Sequence, residues 1–192
     1  MIDEIGQKVP EAYFSIDKAT KEKGFTMPSD ILTGSLLRTL ATSKPSGKFL
    51  ELGTGTGLST SWILDGMDGG STIISVDHDE TLLAIAQKSL GHDKRLQLVH
   101  ADGEEWIKAN PGKKFDYIFA DTWHGKYLLL EEVLEMVNKG GFYIIDDMAP
   151  QPNWPEGHGE KAINLLNYLE NRYDFWLTKQ NWATGIIIAV KK

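Results

Sequence analysis

Glu51, Gly53, Gly55 and Gly57 fall on alternate positions directly after the apolar run Phe49-Leu50. An acid and three glycines leading into helix-forming sequence from Leu58 read as strand, tight turn, helix. The glycines allow positive φ and let a ligand approach the main chain closely. The free N–H groups at the following helix start point into the same space. The chemistry implied is nucleotide binding. A phosphate loop is excluded because no lysine follows the glycines. A dinucleotide fingerprint would need its third glycine at position 58, which is Leu58. Further acids stand at Asp77, Asp102, Asp121, Asp146 and Asp147, and His124 and Lys126 follow Asp121. Asp77 lies roughly twenty residues after the glycines, where an acid accepts hydrogen bonds from ribose hydroxyls. A histidine such as His124 suits general-base work near neutral pH, whereas a lysine such as Lys126 needs a depressed pKa. Asp121, Asp146 and Asp147 repel one another if left bare, by on the order of 1–4 kcal/mol per close pair. A bound cation, a basic side chain such as Lys126, or a raised pKa on one acid must offset that repulsion.

These residues need a scaffold that brings them to one edge. Val9, Tyr13, Ile16 and Ala19 approximate helical spacing within Met1–Gly24, and Met27-Pro28-Ser29-Asp30 opens a second helix that Pro45 and Gly47 end. Strands follow at Lys48–Leu52, Thr72–Val76, Arg95–His100, Phe115–Ala120 and Phe142–Ile145. Helices alternate with them at Leu58–Gly66, Leu82–Leu90, Glu104–Ala109 and Leu128–Val137. Lys161–Tyr173 reads as a last helix. Phe175–Lys179 and Gly185–Val190 are close enough to pair antiparallel at one edge. Such alternation implies a mostly parallel sheet with helices on both faces, and ligands beyond the carboxyl ends of its strands. Glu51, Asp77, Asp102, Asp121 and Asp146 all fall at such ends. No repeat or low-complexity tract interrupts the series, so one domain over 1–192 is expected. The helices within 1–46 are read as a cap over the cleft mouth or as a contact in a homodimer.

Composition narrows the function further. The chain has 192 residues, 41% hydrophobic and 24% charged, as in a globular protein with a sizeable core. A net charge of −7 argues against a nucleic-acid partner, which calls for a basic surface. No window is long and apolar enough to span a membrane, and no signal peptide opens the chain. With no cysteine, disulfides, thiolate metal sites and cysteine nucleophiles are excluded, which fits a cytoplasmic location.

The pattern acid-x-Gly-x-Gly-x-Gly over Glu51–Gly57 resembles the first motif of class I S-adenosylmethionine (SAM) methyltransferases. With Phe115–Trp123 and Ile145-Asp146-Asp147, nearly the whole chain is similar to the small O-methyltransferase group that includes catechol and caffeoyl-CoA O-methyltransferases. The resemblance implies a Rossmann-like, doubly wound, seven-stranded α/β sheet of order 3-2-1-4-5-7-6, mostly parallel with an antiparallel edge. It implies SAM held by Glu51, Gly53, Thr54, Gly55 and Gly57, with Ser59 meeting the methionine carboxylate. Asp77 takes the ribose and His78 lies near the adenine. Asp102 meets the exocyclic amine beside Gly103, and Asp121 and Trp123 complete the set. It further implies O-methylation of a small-molecule acceptor, phenol or catechol-like, and Mg²⁺ or Ca²⁺ on Asp121, Asp146 and Asp147. Two positions depart from the family. Asp147 replaces an asparagine, and His124 stands where the family carries a catalytic lysine, with Lys126 two residues further on. A metal-independent N- or C-methyltransferase and a non-catalytic SAM-binding module are the rival readings. Trp123 and Trp154 are candidate walls for an aromatic acceptor, and Trp182 is read as packing.

Overall fold

In the computed structural model, which describes residues 8–151 and 154–192, strand β1 (Lys48–Leu52) is buried at every position but its first. Such a strand needs a neighbour on each side and a helical layer on each face. It pairs in parallel with β2 (Thr72–Asp77) and β4 (Phe115–Ala120), Glu51 lying opposite Ser75 and Phe119. β3 (Leu96–His100) extends the sheet beyond β2, and β5 (Val137–Ile145) extends it beyond β4, both in parallel. β7 (Ile186–Lys191) runs antiparallel to β5 and carries β6 (Phe175–Gln180) antiparallel at the edge. The order is β3-β2-β1-β4-β5-β7-β6, as the resemblance implied.

Successive side chains of a strand point to opposite faces, so Leu50, Leu52, Ile118, Ala120, Tyr143 and Ile145 build one core. Helices α5 (Gly103–Ala109), α6 (Leu130–Met136) and α7 (His158–Glu170) cover that face through Ile107, Val133 and Leu165. Phe49, Ile73, Tyr117, Phe119 and Ile144 build the other core, under α1 (Tyr13–Lys23), α2 (Ile31–Thr42) and α3 (Leu58–Gly66), which contribute Ile16, Leu37 and Ile63. α4 (Glu80–Leu90) joins the same side through Leu90. Among the described residues, no helix is long and apolar enough to cross a membrane.

Boundaries depart most from expectation at three places. The first helix begins only at Tyr13, and the expected stretch Met1–Gln7 lies outside the described residues. The helix expected over Leu128–Val137 ends at Met136, and β5 starts at once. Val137 pairs with Phe115, the register then shifts, and Tyr117 meets Phe142. Asn138 donates from Nδ2 to Asp116 Oδ1 at 2.8 Å, and Gly140 turns the bulge at φ 73°. Finally, α7 starts three residues before Lys161 and ends at Glu170. Past that end, Arg172 binds Asp174 and Glu131 instead of continuing the helix.

Candidate functional site

A cleft of about 460 Å³ opens at the carboxyl ends of β1, β2 and β4, within the range of small-molecule sites. Its floor is the turn after β1. Gly53 N donates to the Val76 carbonyl at 2.9 Å, and Gly55 N to Asp77 Oδ2 at 2.7 Å. The hydroxyls of Thr54 and Ser75 bond at 2.6 Å. At Gly53, φ is 99° and a β-carbon would sit 2.7 Å from the Asp121 carbonyl oxygen, so only glycine lets the turn pass the end of β4. The roof is the link from Lys23 to Ser29, all but Thr26 lining the cleft. Thr20 Oγ1 donates to Thr56 Oγ1 at 2.7 Å and ties α1 to the turn, and the Phe25 ring lies against Gly55.

Of the residues singled out in the sequence, Gly53, Thr54, Gly55, Ser59, Asp77, His78, Gly103, Asp121, His124 and Asp147 line this cleft. Asp77 spends Oδ1 on the Asp79 amide at 2.9 Å and Oδ2 on Gly55, which aligns its carboxylate at the cleft wall with lone pairs to spare. His78 is 80% exposed at the mouth. His124 packs against Gly103, where a β-carbon would come within 2.8 Å of its own.

Six residues are elsewhere, each for a physical reason. Glu51 is fully buried between α3 and β2, and its Oε2 accepts from Thr60 and Ser75 hydroxyls at 2.5 Å each. Its Oε1 makes no hydrogen bond among the described residues. Burial pushes its pKa up to about 7 against the nearby hydroxyls of Ser59, Ser75 and Thr60. Glu51 therefore supports the turn from beneath and does not line the cleft. Gly57 opens α3 at φ 91°, and a β-carbon there would press on Ala86 at 3.0 Å, so its service is helix packing. Asp102 caps α5, accepting from the Glu104 and Glu105 amides at 2.8 and 3.3 Å. Trp123 is 42% exposed and packs on Tyr127, His158 and the Lys161 ammonium, which sits 4.3 Å from its ring centre. Lys126 and Asp146 lie below the cleft, both nearly fully buried.

Lys126 Nζ donates to the Asp146 carbonyl oxygen. Burial lowers its pKa while Asp121, Asp147 and Asp146 oppose that fall. Asp146 Oδ1 is taken by the Thr184 hydroxyl at 2.5 Å and by the Asp147 amide at 2.8 Å. Burial raises Asp121 well above the usual carboxylate range, reinforced by Asp146 and Asp147. Ser29 Oγ reaches Asp121 Oδ2 at 3.5 Å. Among the described residues, no group of three or more His, Asp or Glu side chains converges to hold a metal ion. With an ammonium already beneath them and Asp146 already bonded, Asp121, Asp146 and Asp147 do not fit a divalent cation as they stand.

The link residues Phe25, Met27 and Ser29 line the cleft without a sequence signal, since an irregular segment carries no periodicity. Thr184 and His158 were equally hidden. His158 is buried against Trp154 and bonds Tyr127 Oη through Nε2 at 3.3 Å. Trp154 thus packs on a side chain and does not wall the cleft, and Trp182 packs against the second core as expected.

A family model described as a methyltransferase domain matches residues 50–148, just over half of the chain. The chain belongs to this family. The match covers the glycine turn, Asp77, Asp121 and the Asp146-Asp147 pair. Over 150 residues this methyltransferase domain is 27% identical to catechol O-methyltransferase B of Danio rerio, covering 72% of this chain and 57% of that protein. The chain thus spans little more than half the length of that curated relative. Its fold is similar to the O-methyltransferase TomG of Streptomyces achromogenes, solved with SAM, at a TM-score of 0.83, with 19% identity over 98% of this chain and 92% of that one. An O-methyltransferase of Bacillus cereus in complex with SAH gives 0.82, with 18% identity over 99% and 94%. At those identities the likeness is one of fold.

Proposed function

We propose that the protein transfers the methyl group of SAM to an oxygen of a small-molecule acceptor, phenol or catechol-like. The observation that carries the reading is the acidic cleft over the glycine turn of a methyltransferase-family domain, lined by Asp77, Asp121 and Asp147. A cleft walled by carboxylates suits a cationic ligand. The name of the Danio rerio relative supports oxygen, and a catechol, as the acceptor side.

Bound SAM supplies a methyl carbon on a positively charged sulfur, which leaves as a neutral thioether. The residues of this chain do the rest. The Gly53–Gly55 backbone and Ser59 orient the amino-acid end, and Asp77 accepts from the ribose hydroxyls. Asp121 stands at the wall, where a bound cation favours its ionised form against the upward pull of burial. His124 takes the proton of the acceptor hydroxyl, so the oxygen attacks as its anion; unlike Lys126, it lines the cleft. The Lys23–Ser29 link excludes water above the reacting groups, and holding the two substrates together removes much of the entropy cost of their encounter.

The test is a labelled-SAM transfer screen over catechols, phenols, amines and carboxylic acids, alongside calorimetry with SAM and with NAD. Methyl incorporation into an oxygen acceptor together with SAM binding is the expected outcome. NAD binding without SAM binding refutes the reading, and saturable SAM binding with no acceptor methylated refutes the catalytic part of it.

A further inference from the structure

We propose that the Lys126 ammonium is the resident counter-cation of the Asp121, Asp146 and Asp147 cluster, so that methyl transfer proceeds without a divalent metal and on acceptors bearing a single hydroxyl. The inference deepens the methyl-transfer reading above and rests on it. Lys126 is 4% exposed, bonded to the Asp146 carbonyl and held 5.4 Å from the Tyr127 ring centre. Its charge acts on all three carboxylates. A buried ammonium among carboxylates is stable because each sign compensates the other in a poorly solvated place, and removing one partner leaves the rest unpaired. A divalent ion entering the same cluster meets the like charge of that ammonium, anchored on the Asp146 carbonyl, and is repelled by it. It must also take Asp146 Oδ1 from Thr184 and from the Asp147 amide. The third acid at 147 and the buried amine at 126 therefore form a matched pair of features.

The consequence for substrate is direct. A metal rewards two adjacent oxygens because it chelates both. With an ammonium buried below the cleft, no chelation is available, and the acceptor is recognised through one hydroxyl presented to His124. Monophenols are then methylated as well as catechols.

The experiment begins with the wild-type protein. It is treated exhaustively with EDTA and assayed with a phenol and with a catechol, and Mg²⁺ and Ca²⁺ are titrated separately into the protein with and without SAM, by calorimetry and thermal shift. The expected results are less than a twofold change in activity with EDTA, similar turnover of the two acceptors, and no metal binding up to millimolar concentrations. Lys126→Met, which strips the cluster of its cation, is expected to gain a Ca²⁺-dependent rise in Tm that the wild type lacks. Activity abolished by EDTA and restored by Mg²⁺ overturns the proposal. So does micromolar metal binding to the wild type that Asp147→Asn removes. If no acceptor is methylated at all, the reading of function fails, and the metal titrations on the wild type still decide the proposal on their own. If Lys126→Met does not fold, those same titrations suffice.

Discussion

Replacing Glu51 by glutamine isolates the cost of burying a carboxylate under the glycine turn. Glu51 is fully buried, and its pKa rises from an ordinary 4.5 to about 7. Between those values the folded protein binds a proton that the unfolded chain has released, so folding stability falls as pH rises through that window. Each pKa unit corresponds to about 1.4 kcal/mol, so the full loss above pH 7 is roughly 3 kcal/mol. Part of it is already present at pH 5, which leaves about 2–3 kcal/mol between pH 5 and pH 8.5. Glutamine keeps the shape and carries no charge. Its amide leaves a donor or acceptor unpaired where Oε1 now makes no bond, at about 1–3 kcal/mol, but that cost is the same at both pH values. The assay is urea denaturation of wild type and Glu51→Gln at pH 5 and pH 8.5. The variant is expected to be the less stable at pH 5 and to recover about 2–3 kcal/mol relative to the wild type at pH 8.5. A stability difference that does not change with pH refutes the assignment of this buried acid.

Three further outcomes are expected. Gly53→Ala should destabilise the fold by about 1–3 kcal/mol and abolish SAM binding, because its β-carbon meets the Asp121 carbonyl at 2.7 Å in a positive-φ backbone; thermal denaturation and calorimetry read both, and wild-type affinity would be inconsistent with the turn described. Asp77→Ala should weaken SAM by roughly 1–3 kcal/mol, since it frees the Gly55 amide as well as losing an acceptor, with Asp77→Asn intermediate in a SAM titration. His124→Gln should lower kcat about 10²–10⁴-fold while leaving the SAM Kd within a few-fold; an unchanged kcat in a steady-state assay removes His124 from the chemistry.

The sheet was legible because its central strands are buried on both faces and bounded by glycines or acids. The limits of β1, α3 and β4 agree with the pattern to the residue. β5 misled because Val137 to Gly141 carries a bulge, where one strand holds residues with no counterpart opposite and the alternation breaks. Among the acids, position along the chain revealed which lie at strand ends but not which way their side chains turn. Glu51 points into the layer under α3, whereas Asp77 reaches the cleft, and both are strand-end acids in the sequence. Lys126 looked like a rival base. Only the fold shows its ammonium reaching the Asp146 carbonyl, a contact across twenty residues that no local spacing encodes.

The roof of the cleft differs in kind from its floor. The floor hangs on strands that are stitched to neighbours on both sides, so it opens only when the sheet does. From Gly24 to Asp30 the roof belongs to no helix or strand, and its ends are a left-handed glycine and the cap of α2. Its backbone can therefore exchange with solvent in excursions far smaller than global unfolding. Under the methyl-transfer reading, passage of substrate in and product out needs only the opening of these few residues, in a segment that holds no catalytic group.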